Sequence, residues 1–149
     1  MDESFKIIEK LDKNNFEIWY LSSKGMPKKW YIFDKFLHKI PHENVKYVYK
    51  ECDILLKSSW LESFSYPPLE MMATGGYSVV VLNEGNKEYL KDGENCLLYK
   101  LGDLDSAVKC IERLLSDEKL QQKLFENGLK TAKIREWDKC KNQIISLYS

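Results

Sequence analysis

The chain carries no Cys-x-x-Cys pair and no run of about 18 apolar residues, and each absence removes a class of function. Its 149 residues include only four cysteines, Cys52, Cys96, Cys110 and Cys140, and they lie far apart. That spacing excludes a zinc ribbon or a thioredoxin-like motif and reads as reduced thiols of a cytoplasmic protein. Without a long apolar stretch there is no candidate membrane span. The opening Met-Asp-Glu-Ser-Phe-Lys also lacks the pattern of a secretory signal. The expectation is a cytoplasmic protein, with association at the inner face of a membrane left open. Net charge is absent too, with 23 basic residues against 23 acidic ones. Such a balance gives no broad attraction to nucleic acid or anionic lipid, so any anion site must be local. A Walker loop, a dinucleotide fingerprint and a serine-nucleophile elbow are all missing. No repeat, low-complexity tract or linker interrupts the chain, so one domain covering residues 1–149 is expected.

What is present is an alternation of strand and helix patterns. Asp2 to Asn14 reads as a helix, with Phe5, Ile8 and Leu11 at three-residue spacing. Phe16 to Ser22 reads as a strand. Trp30 to Lys39 reads as a helix that Pro41 ends, and Glu43 to Glu51 as a shorter one. Asp53 to Ser58 and Tyr77 to Leu82 read as buried strands, flanking a helix from Pro68 to Thr74 that Gly75 and Gly76 close. Asn86 to Lys91 suggests a short helix and Cys96 to Tyr99 a short strand. From Asp103 onward the pattern is helical: Leu104, Ala107, Val108, Ile111, Leu114 and Leu115 make one stripe, and Leu120, Leu124, Leu129 and Ala132 another. A last helix is expected from about Arg135 to Leu147. This order implies an α/β fold, a Rossmann-like parallel sheet with helices on both faces. Ligands of such sheets bind at the carboxyl ends of the strands, which here are the loops Ser58 to Pro67 and Asn83 to Glu88.

The first of those loops holds the most informative feature, Glu62 and Glu70, eight positions apart in Glu-Ser-Phe-Ser-Tyr-Pro-Pro-Leu-Glu. On one helix that spacing would leave them about 80° apart. Pro67 and Pro68 exclude a common helix, because a proline disfavours helical geometry in the residue before it. A helix starting near Pro68 puts Glu70 at about its third position and leaves Glu62 in the loop. The free N–H groups of a helix start favour phosphate oxygens, and Ser63 to Tyr66 add more donors. The plainer reading stands beside it: Glu70 complements its own helix dipole and Glu62 is a solvated loop residue.

The stretch Asp53 to Tyr99 resembles the donor-binding half of retaining glycosyltransferases of group 1 (family 4), which have the GT-B fold. The family pattern is an Asp-led strand, a Ser, a Glu, a loop and a second Glu, then Ala-x-Gly, a Val-Val strand, a Gly-x-x-Glu turn and an Asp-Gly-x-Asn hairpin. Ser59, Glu62, Glu70, Ala73, Gly75, Val79, Val80, Gly85, Glu88, Asp92, Gly93 and Asn95 take those places. The resemblance implies that Glu62 is the catalytic carboxylate facing the donor sugar and that Glu70 accepts hydrogen bonds from the ribose. It implies backbone donors at Ser63, Phe64 and Ser65, with Tyr66 and Leu69 completing the donor-binding set. The donor would be a nucleoside diphosphate sugar, bound without a metal or other cofactor. The acceptor would be a polysaccharide, a glycoconjugate or a lipid-linked glycan.

This chain departs from the family in having Ser63, Ser65 and Tyr66 where loop glycines are usual, and these bulkier residues are expected to narrow the sugar choice or to reshape the phosphate approach. It also lacks the strand that opens the family's C-terminal domain, with its diphosphate-binding Arg and Lys, and the whole N-terminal acceptor domain. A fragment of a longer enzyme is therefore expected, with unpaired strand edges open to self-association. The alternative reading is a non-catalytic nucleotide-sugar-binding or interaction module. Three weaker signals have plain explanations. Asp103-Leu104-Asp105 matches a metal-binding Asp-x-Asp, but Asp103 sits where a helix N-cap belongs. His38 and His42 have a zinc-like spacing that Pro41 breaks. Trp19, Trp30, Trp60 and Trp137 read as packing residues, with Trp60 alone near the proposed site, and Trp137 belongs to a terminal helix like the family's.

Overall fold

The computed structural model describes residues 2–136. Among the described residues there are five strands and five α-helices, and every strand pair is parallel. The chain opens with α1 (Asp2–Lys10), which buries Phe5, Ile7 and Ile8, and a 3₁₀ turn over Lys13–Asn15 follows. Asp12 caps that turn by accepting from the Asn14 amide. The expected helix to Asn14 therefore ends earlier, because an Asp at this point offers the next amides an alternative partner.

Strand β1 (Trp19–Ser22) pairs with β2 (Lys35–His38), with Tyr20 opposite Phe36. The helix expected over Trp30 to Lys39 is thus a correction. Phe33, Phe36 and Leu37 fit either periodicity, and pairing with β1 decides the outcome. Asp34 brings the second strand in: its carboxylate accepts from the Ile18 amide at 2.7 Å and its own amide donates to Ile18 O at 2.8 Å. The aromatic side chains then pack together, with the Tyr20 ring 5.2 Å from Phe36 and 5.1 Å edge-on to Phe5.

Helix α2 (His42–Glu51) leads into β3 (Ile54–Lys57), and α3 (Tyr66–Ala73) connects β3 to β4 (Tyr77–Val81). β4 lies centrally between β3 and β5 (Leu97–Tyr99). Alternation along β4 sorts the core. Val79 and Val81 face Ile7 of α1 and the apolar stripes of α4 (Leu104–Ser116) and α5 (Glu118–Ile134). Val80 faces the other way, onto Met72 of α3, Tyr89, Leu90 and Cys96. Helices therefore cover both faces, as the fold class requires. Asp103 caps α4 by accepting from the Ser106 amide at 2.9 Å, as its position indicated.

The strands form two parallel sheets, β1-β2 and β3-β4-β5. α1 spans the junction, since Phe5 and Ile8 pack with Tyr20 of the first sheet and Leu56 of the second, while Ile7 packs on β4. One further expectation is corrected. Residues Asn86 to Lys91 form successive turns instead of a helix, because the Asn83 and Asn86 side chains take the local backbone groups. Arg135 and Glu136 lie beyond the end of α5, and the rest of the expected helix to Leu147, with Trp137 and Cys140, is outside the described residues.

Candidate functional site

Two loops leave the carboxyl ends of neighbouring parallel strands, Ser58 to Ser65 after β3 and Leu82 to Leu90 after β4. The two loops are fastened to each other by three hydrogen bonds. The Asn83 side-chain amide donates to Ser59 O at 2.8 Å. The Ser65 amide donates to Gly85 O at 3.0 Å. The Tyr89 hydroxyl donates to Ser65 O. At Gly85 itself a Cβ would fall 2.5 Å from Glu62 O and 3.0 Å from the Phe64 amide nitrogen, so only glycine lets the two backbones meet.

Asparagines keep the second loop in shape. Asn86, fully buried, accepts from the Asn83 amide at 2.8 Å and donates to Val81 O at 3.0 Å. Asn83 in turn accepts from the Gly85 amide at 3.0 Å. In the first loop the Phe64 ring lies between Tyr66 and Tyr89, at 4.7 and 5.6 Å between centroids, and packs against the core.

Helix α3 begins at Tyr66 with Ser65 as its N-cap, two residues before the expected start. Pro67 and Pro68 occupy its second and third positions, where an N–H would have no intrahelical partner, so both rings fit. Glu70 is accordingly the fifth helical residue and lies outside the first turn, a correction to the expected third position. The same prolines strip two N–H donors from the helix start. The Ser65 amide is used by Gly85, which leaves those of Ser63, Phe64 and Tyr66 without an acceptor among the described residues. Leu69 packs partly buried against the Tyr89–Leu90–Cys96 cluster.

The two carboxylates have different partners. Glu62 pairs with Lys57, the last residue of β3, whose ammonium also donates to Ser59 Oγ at 2.9 Å. Only 17% of the Lys57 side chain and 21% of that of Glu62 is exposed. Burial pushes the Glu62 carboxyl up, but the Lys57 ammonium and the hydroxyls of Ser65 and Ser59 outweigh it and hold the group below the usual glutamate range. Ser65 Oγ is fully buried and finds no hydrogen bond of good geometry. Glu70 faces α2 instead: His42 Nε2 lies 3.6 Å from its Oε1. The buried Tyr49 phenol beside it is held well above its ordinary pKa, first by burial and then by the Glu70 charge.

Glu62 and Glu70 share no hydrogen-bond or ion-pair partner among the described residues. A cleft of about 560 Å³ lies between the starts of α1 and α4, lined by Glu3, Ser58, Trp60 and Gly102 among others. A second, of about 310 Å³, lies by Glu88, Tyr89 and Arg135. Neither includes the two carboxylates. Trp60 is 63% exposed and lines the first of these clefts, which does not include the two carboxylates. Lys57, Asn83, Asn86 and Tyr89 did not stand out in the sequence. The one available signal was the pair of asparagines on either side of Gly85, and Lys57 gave none.

Parallel strands whose carboxyl-end loops are locked into one frame define a ligand-binding domain of the Rossmann-like type. Residues 35–131 match the model of the family described as glycosyl transferases group 1, and the chain belongs to that family. It is 36% identical over 80 residues to the putative glycosyltransferase EpsD of Bacillus subtilis, covering 54% of this chain and 21% of that one. It is 28% identical over 131 residues to the O-antigen chain mannosyltransferase B of Escherichia coli, covering 88% and 33%. The chain thus spans a third or less of the length of these relatives. Among solved structures, Anabaena HepE in complex with UDP-glucose superposes with a TM-score of 0.62 at 22% identity, over 68% of this chain and 28% of that one. The fold is the Rossmann-like half of a GT-B glycosyltransferase.

Proposed function

We propose that the chain is the donor-binding part of a retaining glycosyltransferase that moves a sugar from a nucleoside diphosphate to a glycan or lipid-linked glycan. The observation that carries this reading is the frame in which Gly85, Asn83 and Tyr89 hold the Glu62 loop at the carboxyl ends of β3 and β4. A loop so fixed can present free amides and a carboxylate to a ligand with little reorganisation. The donor class is supported by the UDP-glucose bound in HepE and the reaction class by the mannosyltransferase relative. In this reading the diphosphate leaves as an acceptor hydroxyl attacks from the same face. Glu62 faces the sugar hydroxyls, Glu70 the ribose, and the amides of Ser63, Phe64 and Tyr66 the diphosphate. No metal or other cofactor is required.

The acceptor site belongs to further polypeptide, and the reaction takes place in the cytoplasm, at the inner face of the membrane when the acceptor is lipid-linked. None of the described helices is long and apolar enough to cross a membrane. Titration calorimetry with UDP, GDP and ADP tests the donor site: one of them should bind with a Kd of micromolar order, about −8 kcal/mol. Heat from none of the three would defeat the proposal. The second reading, a binding or interaction module without catalysis, is favoured by one observation, the engagement of Glu62 with Lys57. It is distinguished by nucleotide binding that supports no transfer once an acceptor domain is supplied.

The separate sheets bear on partners. β1 and β3 each pair on one side only, and such edges recruit other strands. The isolated chain is expected to self-associate, and light scattering that reports a clean monomer across a concentration series would count against this.

A further inference from the structure

We propose that Lys57 is the counter-ion that Glu62 surrenders to the diphosphate of an arriving donor, so that the carboxylate is released to the sugar only once the diphosphate is in place. The inference rests on the donor-site reading above and deepens it.

A diphosphate brings several negative charges, and the charge on it grows as the glycosyl bond breaks. The start of α3 is poorly equipped to meet that charge, because Pro67 and Pro68 have no N–H to offer and the Ser65 amide is committed to Gly85 O. The amides that remain in the loop are uncharged. Lys57 is the cation built into this frame, on the last residue of β3, bonded to both Ser59 and Glu62.

Its present partner is the carboxylate expected to hold the sugar. While Lys57 occupies Oε1 of Glu62, that oxygen is engaged by the cation. A lysine is suited to change partners, since its compact charge sits on a flexible stem, unlike the planar fork of arginine. Glu62 would not be left stranded when Lys57 turns away. Ser65 Oγ is fully buried beside it, and its hydroxyl already helps to lower the Glu62 carboxyl, so a donor that can close on the freed oxygen is in position. Two negative groups, one resident and one arriving, thus compete for one ammonium. The same competition draws Lys57 off Glu62 and ties sugar binding to a diphosphate leaving group.

The test is calorimetry and saturation-transfer NMR on the full chain, using whichever of UDP, GDP or ADP it binds and the matching nucleoside as control. Lys57→Met keeps the apolar stem and removes the charge. It should weaken nucleoside diphosphate binding about 10- to 100-fold, the scale of a charge-assisted contact, and leave the nucleoside within about twofold. Lys57→Met/Glu62→Gln should stay equally weak. Restored affinity in the double variant would mean that Lys57 only balances Glu62, and would overturn the proposal, as would unchanged affinity in Lys57→Met. If the single variant does not fold, the double variant, which has no unpaired carboxylate, carries the comparison. In the unaltered chain the carboxyl carbon resonance of Glu62 should move on adding nucleoside diphosphate and stay fixed with nucleoside. A resonance indifferent to the diphosphate overturns the exchange. An unaltered chain that binds none of the three nucleotides removes the donor-site reading itself, a result separate from all of these.

Discussion

Gly85→Ala should unfold the donor loop and abolish nucleotide binding. The added methyl would sit 2.5 Å from the Glu62 carbonyl oxygen and 2.9 Å from its carbon, and both are backbone atoms that no rotamer change can move aside. One of the two loops must retreat, and with it go the Ser65–Gly85 and Asn83–Ser59 hydrogen bonds. Overpacking of this kind costs about 3 kcal/mol, which for a chain of this size lowers the unfolding midpoint by roughly 6–12 °C. Gly93→Ala is the control. Gly93 has φ +65° but open space around its Cα, so alanine there meets only backbone strain, about 1 kcal/mol. Equal melting of the two variants would show that the loops are not clamped at Gly85.

Glu62→Ala should lower kcat/KM by about 100-fold in a complete enzyme carrying the acceptor domain, the loss expected for a group that works in the transition state. Nucleoside diphosphate affinity should be unchanged or slightly tighter, since Lys57 loses its competitor. Glu70→Ala should show the opposite pattern, a KM for donor raised about tenfold at nearly constant kcat, because ribose contacts act equally before and during reaction. Steady-state kinetics on both variants decides the roles, and near-normal turnover in Glu62→Ala would refute the assignment of that residue.

The pH dependence follows from the same pair. The folded-state pKa of Glu62 lies below its ordinary value of 4.5, so ionised Glu62 stabilises the fold fully above that value. The contribution disappears as pH falls through the lowered folded value. Stability should therefore be flat from neutrality to about pH 5 and decline below, with a smaller acid decline in Glu62→Ala. Urea unfolding at a series of pH values measures it.

How far the sequence discloses this arrangement depends on how local the deciding interaction is. β4 was legible because Tyr77 to Val81 ends in three consecutive valines behind an aromatic residue, and α4 because Asp103 precedes a regular stripe. β2 was not, since Phe33, Phe36 and Leu37 satisfy helical and extended spacing alike and the choice is made sixteen residues away, by the Ile18–Asp34 bridge. The start of α3 was misplaced by two residues because two prolines suit the second and third helical positions as well as the first. The Glu62 loop and Gly85 could be picked out through the family pattern. The reason for the glycine, a backbone contact across 23 positions of sequence, exists only in three dimensions. Lys57 ends an apolar strand and carries no motif; only the fold reveals that its ammonium turns back onto Glu62.

The adjacent prolines at the entrance to α3 have one more effect, felt before the chain folds. Their rings fix φ near the helical value at both positions, so the denatured segment samples fewer shapes. Less disorder is then forfeited when this stretch takes its final form. A ligand that arrives finds a segment already set, and less of its affinity is spent on ordering it.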